Sequence, residues 1–135
     1  MNAGDQGDQL LRVARRLRRS NTDALAPLGI TPHQSRALRI IASGAPPRPS
    51  DVASQLHIAA RSATEVVDAL VSSGWVARSP DPDDRRATRL ILTSEGTVLL
   101  ARIAAVRTAE AERFFARLAA DDRATLARLL GVLDA

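Results

Sequence analysis

The chain has 135 residues, a formal net charge of +4 and 45% hydrophobic residues, which suits one domain, or one domain with helical extensions, and a real buried core. It contains no cysteine, so thiol redox sensing and cysteine zinc sites are excluded. The opening MNAGDQGDQLLRVARR lacks the apolar run of a signal peptide, and no stretch approaches about 18 uncharged apolar residues; the expectation is a cytoplasmic protein without a membrane span.

All 19 basic residues are arginine. A GC-rich coding bias accounts for much of this, yet arginine also forks onto phosphates and guanine edges in a way that lysine does not. The three aromatic residues, Trp75, Phe114 and Phe115, are too few for single-strand binding by base stacking.

In chain order, residues 1 to 7 are polar and Gly-containing and read as frayed. From about Asp8 to Ala26, the positions Leu10, Val13, Ala14, Leu17 and Ala24 recur at helical spacing, with arginines on the other faces. Pro27 and Gly29 stop this helix. Thr31-Pro32 starts another, as N-cap and first helical residue, with Leu38, Ile41 and Ala42 inward. After the rigid connector from Gly44 to Pro49, Ser50 reads as the N-cap of a short helix that buries Val52, Ala53 and Leu56. His57-Ile58-Ala59 is a tight connection to a helix from about Ala60 to Ser73, with Ala63, Val66, Val67 and Leu70 inward and Gly74 as its stop. A short and a longer helix joined by so few residues read as helix-turn-helix.

Two apolar runs follow, Trp75-Val76-Ala77 and Leu90-Ile91-Leu92, separated by the charged stretch Asp81-Pro82-Asp83-Asp84-Arg85-Arg86. Thr88, Leu90 and Leu92 alternate with Arg89, Ile91 and Thr93, as in a strand with one covered face. Pro80 and Pro82 keep the tip out of helix and break pairing there. This is a β-hairpin with a projecting, arginine-bearing loop, and an anionic partner, nucleic acid first, is its natural use. Ser94 then opens a long helix to about Leu118, and Asp121 reads as the cap of a last helix with Leu126, Leu129, Leu130 and Leu133 at i, i+3, i+4 and i+7.

The fold class is therefore mainly α with a small β-hairpin: a winged helix-turn-helix with flanking helices. The expected divisions are an N-terminal dimerisation helix over 1–29, a DNA-binding domain over 30–93 and C-terminal dimerisation helices over 94–135. Leu10, Leu17, Leu118, Leu126, Leu129, Leu130 and Leu133 are the candidate dimer contacts, since a lone winged helix does not need such stripes.

The residues Asp81-Pro82-x-Asp84-Arg85-Arg86-x-x-x-Leu90-x-Leu92-Thr93-x-x-Gly96 resemble the wing signature of the MarR family of bacterial transcription regulators. Gly74-Trp75-Val76-x-Arg78 is similar to that family's entry into the wing, and Thr64-x-x-Val67-Asp68-x-Leu70 to its recognition helix. The resemblance implies a homodimer built from the first and last two helices, acting as a repressor on a pseudo-palindromic double-stranded operator. It implies a recognition helix in the major groove, a wing at the minor groove, and release by a small, often phenolic, effector. The family's alternative of release by oxidation is closed for thiols here, for want of a cysteine. Two positions depart from the family: Glu65 stands where a basic residue is common, and Ala59 where a Ser or Thr cap is common. The missing cap costs about 0.5–2 kcal/mol of helix stability. Glu65 would repel a phosphate, or accept from a cytosine amino group.

Arg86 is the first candidate for minor-groove insertion, with Asp84 holding its guanidinium and Arg85 on phosphate; the competing reading is a solvated tip in which Asp84 and Arg86 merely pair. Arg61, Ser62, Thr64, Glu65 and Asp68 form the polar face of the fourth helix, and its N-terminal part is expected at base edges. For Asp68 a structural ion pair is preferred. Ser35, Arg36 and Arg48 are candidates for backbone phosphates, with an ordinary surface role equally open. Trp75 reads as core. His33 and His57 have no partner ligands in sequence, so no metal or other cofactor is expected, and Asp81, Asp83 and Asp84 have arginines competing with any cation. No nucleophile–base constellation or phosphate-binding glycine loop is present, so no enzyme is read. The alternatives to a DNA regulator are a winged helix that binds another protein, suggested by the acidic Glu65 and Asp68, and a ligand-binding dimer without a DNA role. A steep salt dependence of binding separates the first of these from a DNA reader.

Overall fold

The computed structural model describes residues 1–135. Its elements are α1 (Ala3–Leu25), a short 3₁₀ turn (Ala26–Leu28), α2 (Pro32–Ala42), α3 (Pro49–Leu56), α4 (Ala60–Ser72), β1 (Val76–Pro80), β2 (Thr88–Leu92), α5 (Ser94–Phe115) and α6 (Ala120–Leu133). The chain forms two compact units, Leu25–Ala105 and Met1–Ala24 with Val106–Ala135. No helix is long and apolar enough to cross a membrane.

The Leu25–Ala105 unit is the winged helix. Its centre is built from Leu38 of α2, Val52 of α3, Val67 and Leu70 of α4, Leu90 of β2 and Ile103 of α5, all essentially without solvent exposure. Each such side chain contributes roughly 1.5–3 kcal/mol by leaving water. α2 starts where Thr31 predicts: the Gln34 N–H donates to the Thr31 hydroxyl at 3.2 Å and the Thr31 N–H donates back to the Gln34 side chain at 3.1 Å. This reciprocal cap satisfies two N–H groups that the helix itself cannot. On α2, Ala37 is buried and Ala42 is exposed, so the inward stripe runs one position earlier than expected.

α3 starts one residue before the expected cap: Pro49 is its first residue, and Arg48 rather than Ser50 occupies the N-cap. The Asp51 carboxylate accepts the Arg48 N–H at 2.8 Å, so the end is closed from inside the first turn. His57 ends α3 in the left-handed region, at φ 55°. α4 starts at Ala60 after Ala59, with no side-chain cap. It ends in a left-handed Gly74, φ 79°, where the Trp75 N–H reaches back to the Leu70 carbonyl at 3.1 Å.

The two strands pair antiparallel from Val76 opposite Leu92 to Pro80 opposite Thr88. Pro80 thus lies within the ladder, at its last rung, and the loop proper is 81–87. Val76 and Leu90 face the core. The Leu90 N–H also donates to the Pro47 carbonyl at 2.8 Å, which fastens β2 to the connector before α3. Thr93 caps α5 by accepting the Gly96 N–H at 3.0 Å, and its own hydroxyl donates to the Gly74 carbonyl at 2.5 Å. Gly96 is buried where the first turn of α5 crosses Trp75, and a Cβ there would collide with the Trp75 carbonyl. Trp75, expected in the core, is half-buried at this crossing.

In the other unit, α1 begins at Ala3, five residues before the expected start. The reason is local: the Asp5 N–H donates to the Asn2 side chain at 2.9 Å, and the Asn2 N–H donates back to Asp5 at 3.3 Å. α5 ends at Phe115, short of Leu118, and α6 has Ala119 rather than Asp121 at its N-cap. Asp121 and Asp122 instead sit in the first turn, where their charge complements the helix dipole. Arg123 forks onto the Glu112 carboxylate at 2.8 and 2.9 Å and lies over the Phe115 ring. Leu10, Leu118, Leu129, Leu130 and Leu133 are exposed, Leu133 at 71%, while Leu17 and Leu126 are half-buried.

Candidate nucleic-acid interface

Two surfaces of the winged-helix unit carry the candidate residues: the outer face of α4 and the loop 81–87. On α4, Arg61, Ser62, Thr64, Glu65 and Asp68 are all exposed. They are not equally free. The Thr64 hydroxyl donates to the Ala60 carbonyl at 3.0 Å, within its own helix. Asp68 is ion-paired with Arg78 of β1, which agrees with the structural role preferred for it and ties the wing's first strand to α4. Arg61 and Glu65, one turn apart, have no hydrogen bond or ion pair to other groups, so they remain available with Ser62.

The loop is ordered by its own carboxylates. Asp84 Oδ1 accepts the backbone N–H of Arg86 at 3.0 Å, and the Ala87 N–H donates to the Asp84 carbonyl at 3.0 Å. Asp84 was expected to hold the Arg86 guanidinium. It holds the Arg86 backbone instead, because a two-residue spacing suits the turn in which an Asp side chain caps a nearby N–H. Arg85 and Arg86 are left exposed at the tip.

Asp81 is the hub of the loop. Its Oδ1 accepts the Asp83 N–H at 2.9 Å, its Oδ2 accepts Nε of Arg48 at 2.9 Å, and its own N–H donates to the Ala87 carbonyl at 3.1 Å. The Asp83 N–H, and then the Arg48 guanidinium, hold the Asp81 carboxyl below the usual carboxylate range, although partial burial pulls the other way. Asp81 in turn raises the pKa of Arg48. With both oxygens so engaged, this carboxylate is committed to wing structure. From the sequence, Arg48 is a candidate for phosphate with a surface role equally open, and Asp81 has no part in the wing's geometry; the two stand 33 residues apart and no local spacing links them.

Ser35 does not stand where a phosphate contact requires it. It lies on the inner side of α2 at 2% exposure, beside Ala37 and Leu38, and cannot reach a phosphate from there. Arg36, next to it, is exposed. An open cavity of about 380 Å³ lies in the same unit, walled by Leu28, Trp75, Val98 and Leu99 with Arg102 and Glu95 at its polar edge.

The family model described as MarR matches residues 30–88, the span from the approach to α2 to the start of β2. The HTH-type transcriptional regulator YkoM of Bacillus subtilis is 28% identical over 102 residues, which are 76% of this chain and 66% of YkoM, just under two thirds of its length. Among solved structures, a mutant of Escherichia coli MarR superposes with a TM-score of 0.90 at 29% identity, covering 96% of both chains. That mutant in complex with operator DNA gives 0.77 at 30% identity over 94% of this chain and 91% of that one. The MarR family protein Rv2887 of Mycobacterium tuberculosis, in complex with salicylic acid, gives 0.79 at 30% identity over 94% of each chain. The resemblance carried by the wing residues thus extends to the whole three-dimensional fold. The chain belongs to the MarR family of DNA-binding transcription regulators.

Proposed function

We propose that this chain is a homodimeric repressor that reads a pseudo-palindromic duplex operator and leaves it when a small, aromatic effector binds. The observation that carries the reading is the pairing of a free polar face on α4 with an ordered, doubly basic loop on the same compact unit. In this reading Arg61, Ser62 and Glu65 meet base edges in the major groove. Arginine there selects guanine and glutamate accepts from a cytosine amino group, so an operator with G·C pairs under α4 is expected. Arg86 enters a narrow, A·T-rich minor groove and Arg85 lies on phosphate. Arg36 is placed on the phosphate backbone. Support comes from the E. coli MarR structure solved with operator DNA.

The dimer rests on the apolar faces of α1 and α6. Leu10, Leu129, Leu130 and Leu133 are exposed in the single chain, and a two-fold partner is the commonest way to cover such stripes. The effector rests on the salicylic acid complex of Rv2887 and on the open cavity beside Trp75, whose apolar walls and Arg102 suit a small aromatic acid. No enzymatic activity is proposed.

The test is selection of duplexes from a random pool with purified protein, followed by affinity measurement against salt. A DNA reader loses affinity steeply, with about −0.9 added to the log–log slope for each phosphate neutralised. A flat slope overturns the reading and leaves a winged helix that binds another protein.

A further inference from the structure

We propose that Arg48 is a wing-positioning residue: through the Asp81 carboxylate it fixes the loop 81–87 against the start of α3, and so decides where Arg85 and Arg86 meet the duplex. The proposal rests on the DNA-binding reading above and adds a role that neither the wing nor the recognition helix supplies by itself.

Arg48 stands on a rigid base. Pro47 and Pro49 flank it and fix their own φ angles. Its N–H donates to the Asp51 carboxylate at 2.8 Å, and its carbonyl accepts from the Asp51 and Val52 N–H groups at 3.0 and 3.2 Å. The preceding carbonyl, of Pro47, holds β2 through Leu90. A side chain leaving this point starts from a place fixed to both α3 and the hairpin.

Its target is equally fixed. Asp81 is 12% exposed at its side chain, and Arg48 is 43% exposed. One carboxylate oxygen takes the arginine and the other takes the Asp83 N–H. From Asp81 a short run of bonds leads to the tip: the Asp81 N–H to Ala87, the Ala87 N–H to the Asp84 carbonyl, and the Arg86 N–H to the Asp84 carboxylate. The Arg48–Asp81 bond ties residues 81–87 to the start of α3; the Arg78–Asp68 pair holds β1 to α4, below the loop. Without the Arg48–Asp81 bond the loop keeps its internal bonds but loses this tie to the start of α3, so its two guanidinium groups would have to be oriented at the moment of binding, and that preorganisation is what the clamp supplies.

The pairing also argues against Arg48 as a phosphate contact. Its Nε edge faces a carboxylate, and the pair as a whole is neutral, so it releases no counterion from DNA. The two roles therefore differ in a measurable slope.

The experiment uses a duplex selected from a random pool by the wild-type protein, made in two forms with A·T-rich or G·C-rich sequence under the wing. Arg48→Ala, Arg48→Lys, Asp81→Asn and the Arg48→Ala/Asp81→Asn double variant are titrated against both forms at several salt concentrations, with thermal melts alongside. Asp81→Asn keeps an oxygen for the Asp83 N–H and removes the charge that faces Arg48. Arg48→Ala and Asp81→Asn should each weaken binding to the A·T-flanked duplex by about tenfold, the scale of one lost groove contact. The double variant should lose no more than either single one. The preference for the A·T-rich flank should collapse, any change in salt slope should be the same in Arg48→Ala and Asp81→Asn, and Arg48→Lys should recover part of the loss. A general loss of folding would appear in the melts and would lower both duplexes alike, overturning the positioning role. A slope flatter by about 0.9 in Arg48→Ala but not in Asp81→Asn identifies a phosphate contact of Arg48 and overturns it. So do single losses that multiply in the double variant, or unchanged affinity. If the wild type selects and binds no duplex, the DNA-binding reading falls and this proposal with it; if the wild type binds and only these variants behave as wild type, this proposal alone falls.

Discussion

The Asp84 carboxylate accepts the backbone N–H of Arg86 at 3.0 Å, so an acidic residue at the centre of an arginine-bearing loop acts on the main chain of a residue two positions on. What Asp84 supplies to Arg86 is a hydrogen-bond acceptor. Asp84→Ala should therefore weaken duplex binding, by about 1 kcal/mol for one lost hydrogen bond, while Asp84→Asn should bind nearly as the wild type does. A plain electrostatic patch predicts the opposite, tighter binding in both variants because a negative charge has gone. Titration of one duplex with the three proteins decides the sign.

Arg86→Ala should cost about 1–3 kcal/mol of specific binding, with a larger loss on an A·T-rich flank than on a G·C-rich one. Its exposed side chain is at the loop tip, so the melting temperature should hardly move, as for surface changes within about ±0.5 kcal/mol. Equal losses on the two flanks would remove the minor groove from the account.

Gly96→Ala tests the joint between wing and α5. An added methyl has no free volume there, because the Trp75 carbonyl occupies it and belongs to the backbone, so relief requires α5 to shift. Overpacking of this kind costs roughly 1–3 kcal/mol. A thermal melt of this variant should fall by several degrees; an unchanged melt would mean that the crossing is looser than described.

Leu129→Asp or Leu130→Asp should dissociate the proposed dimer. Both side chains are partly exposed in the single chain, at 45% and 41%, and lie outside its buried core. Sedimentation should show a dimer for the wild type and a monomer for the variants, with helix content kept. A wild-type monomer at micromolar concentration would discard the dimer.

Acid should release the wing before it unfolds the core. The Asp81 pKa is lowered in the folded protein by the Asp83 N–H and the Arg48 guanidinium, so this carboxylate stabilises the fold above its unfolded pKa, and the contribution fades as pH falls through the folded value. No effect is expected from Asp81 between neutral pH and about pH 4, with loss below it. Asp81→Asn should remove that acid-dependent part. Amide exchange in residues 81–87, compared between the two proteins as pH falls, measures it.

Much of this fold is written locally. Thr31-Pro32 with Gln34 three residues on, Gly74 at the end of α4, and the alternation from Thr88 to Leu92 each specify a start, a stop or a face from a few adjacent residues. Their physics operates over one helical turn or one strand pleat, so spacing alone reveals it. The wing residues from Asp81 to Gly96 added the family, and with it the place of each element.

Local signals also compete, and there the sequence was ambiguous. Ser50 and Asp121 are good caps by type, yet Arg48 and Ala119 hold those positions, and Asn2 with Asp5 starts α1 before the expected residue. At α1 the reciprocal bonds of Asn2 and Asp5 set the start, and at α3 the Asp51 carboxylate closes the turn on Arg48.

What only the tertiary structure decided are the relations between distant residues. Ser35 has a polar side chain beside an exposed arginine, but the packing of α2 turned it inward. Trp75 is the largest apolar side chain present, but the crossing of α5 left it half-covered beside a cavity. Arg48 and Asp81, separated by 33 positions, meet because β2 is fastened to Pro47 and brings the loop to the start of α3. Helical and strand periodicities carry no information about such meetings. They follow from topology, which places charges side by side once the core formed by Leu38, Val52, Val67, Leu70, Leu90 and Ile103 has closed.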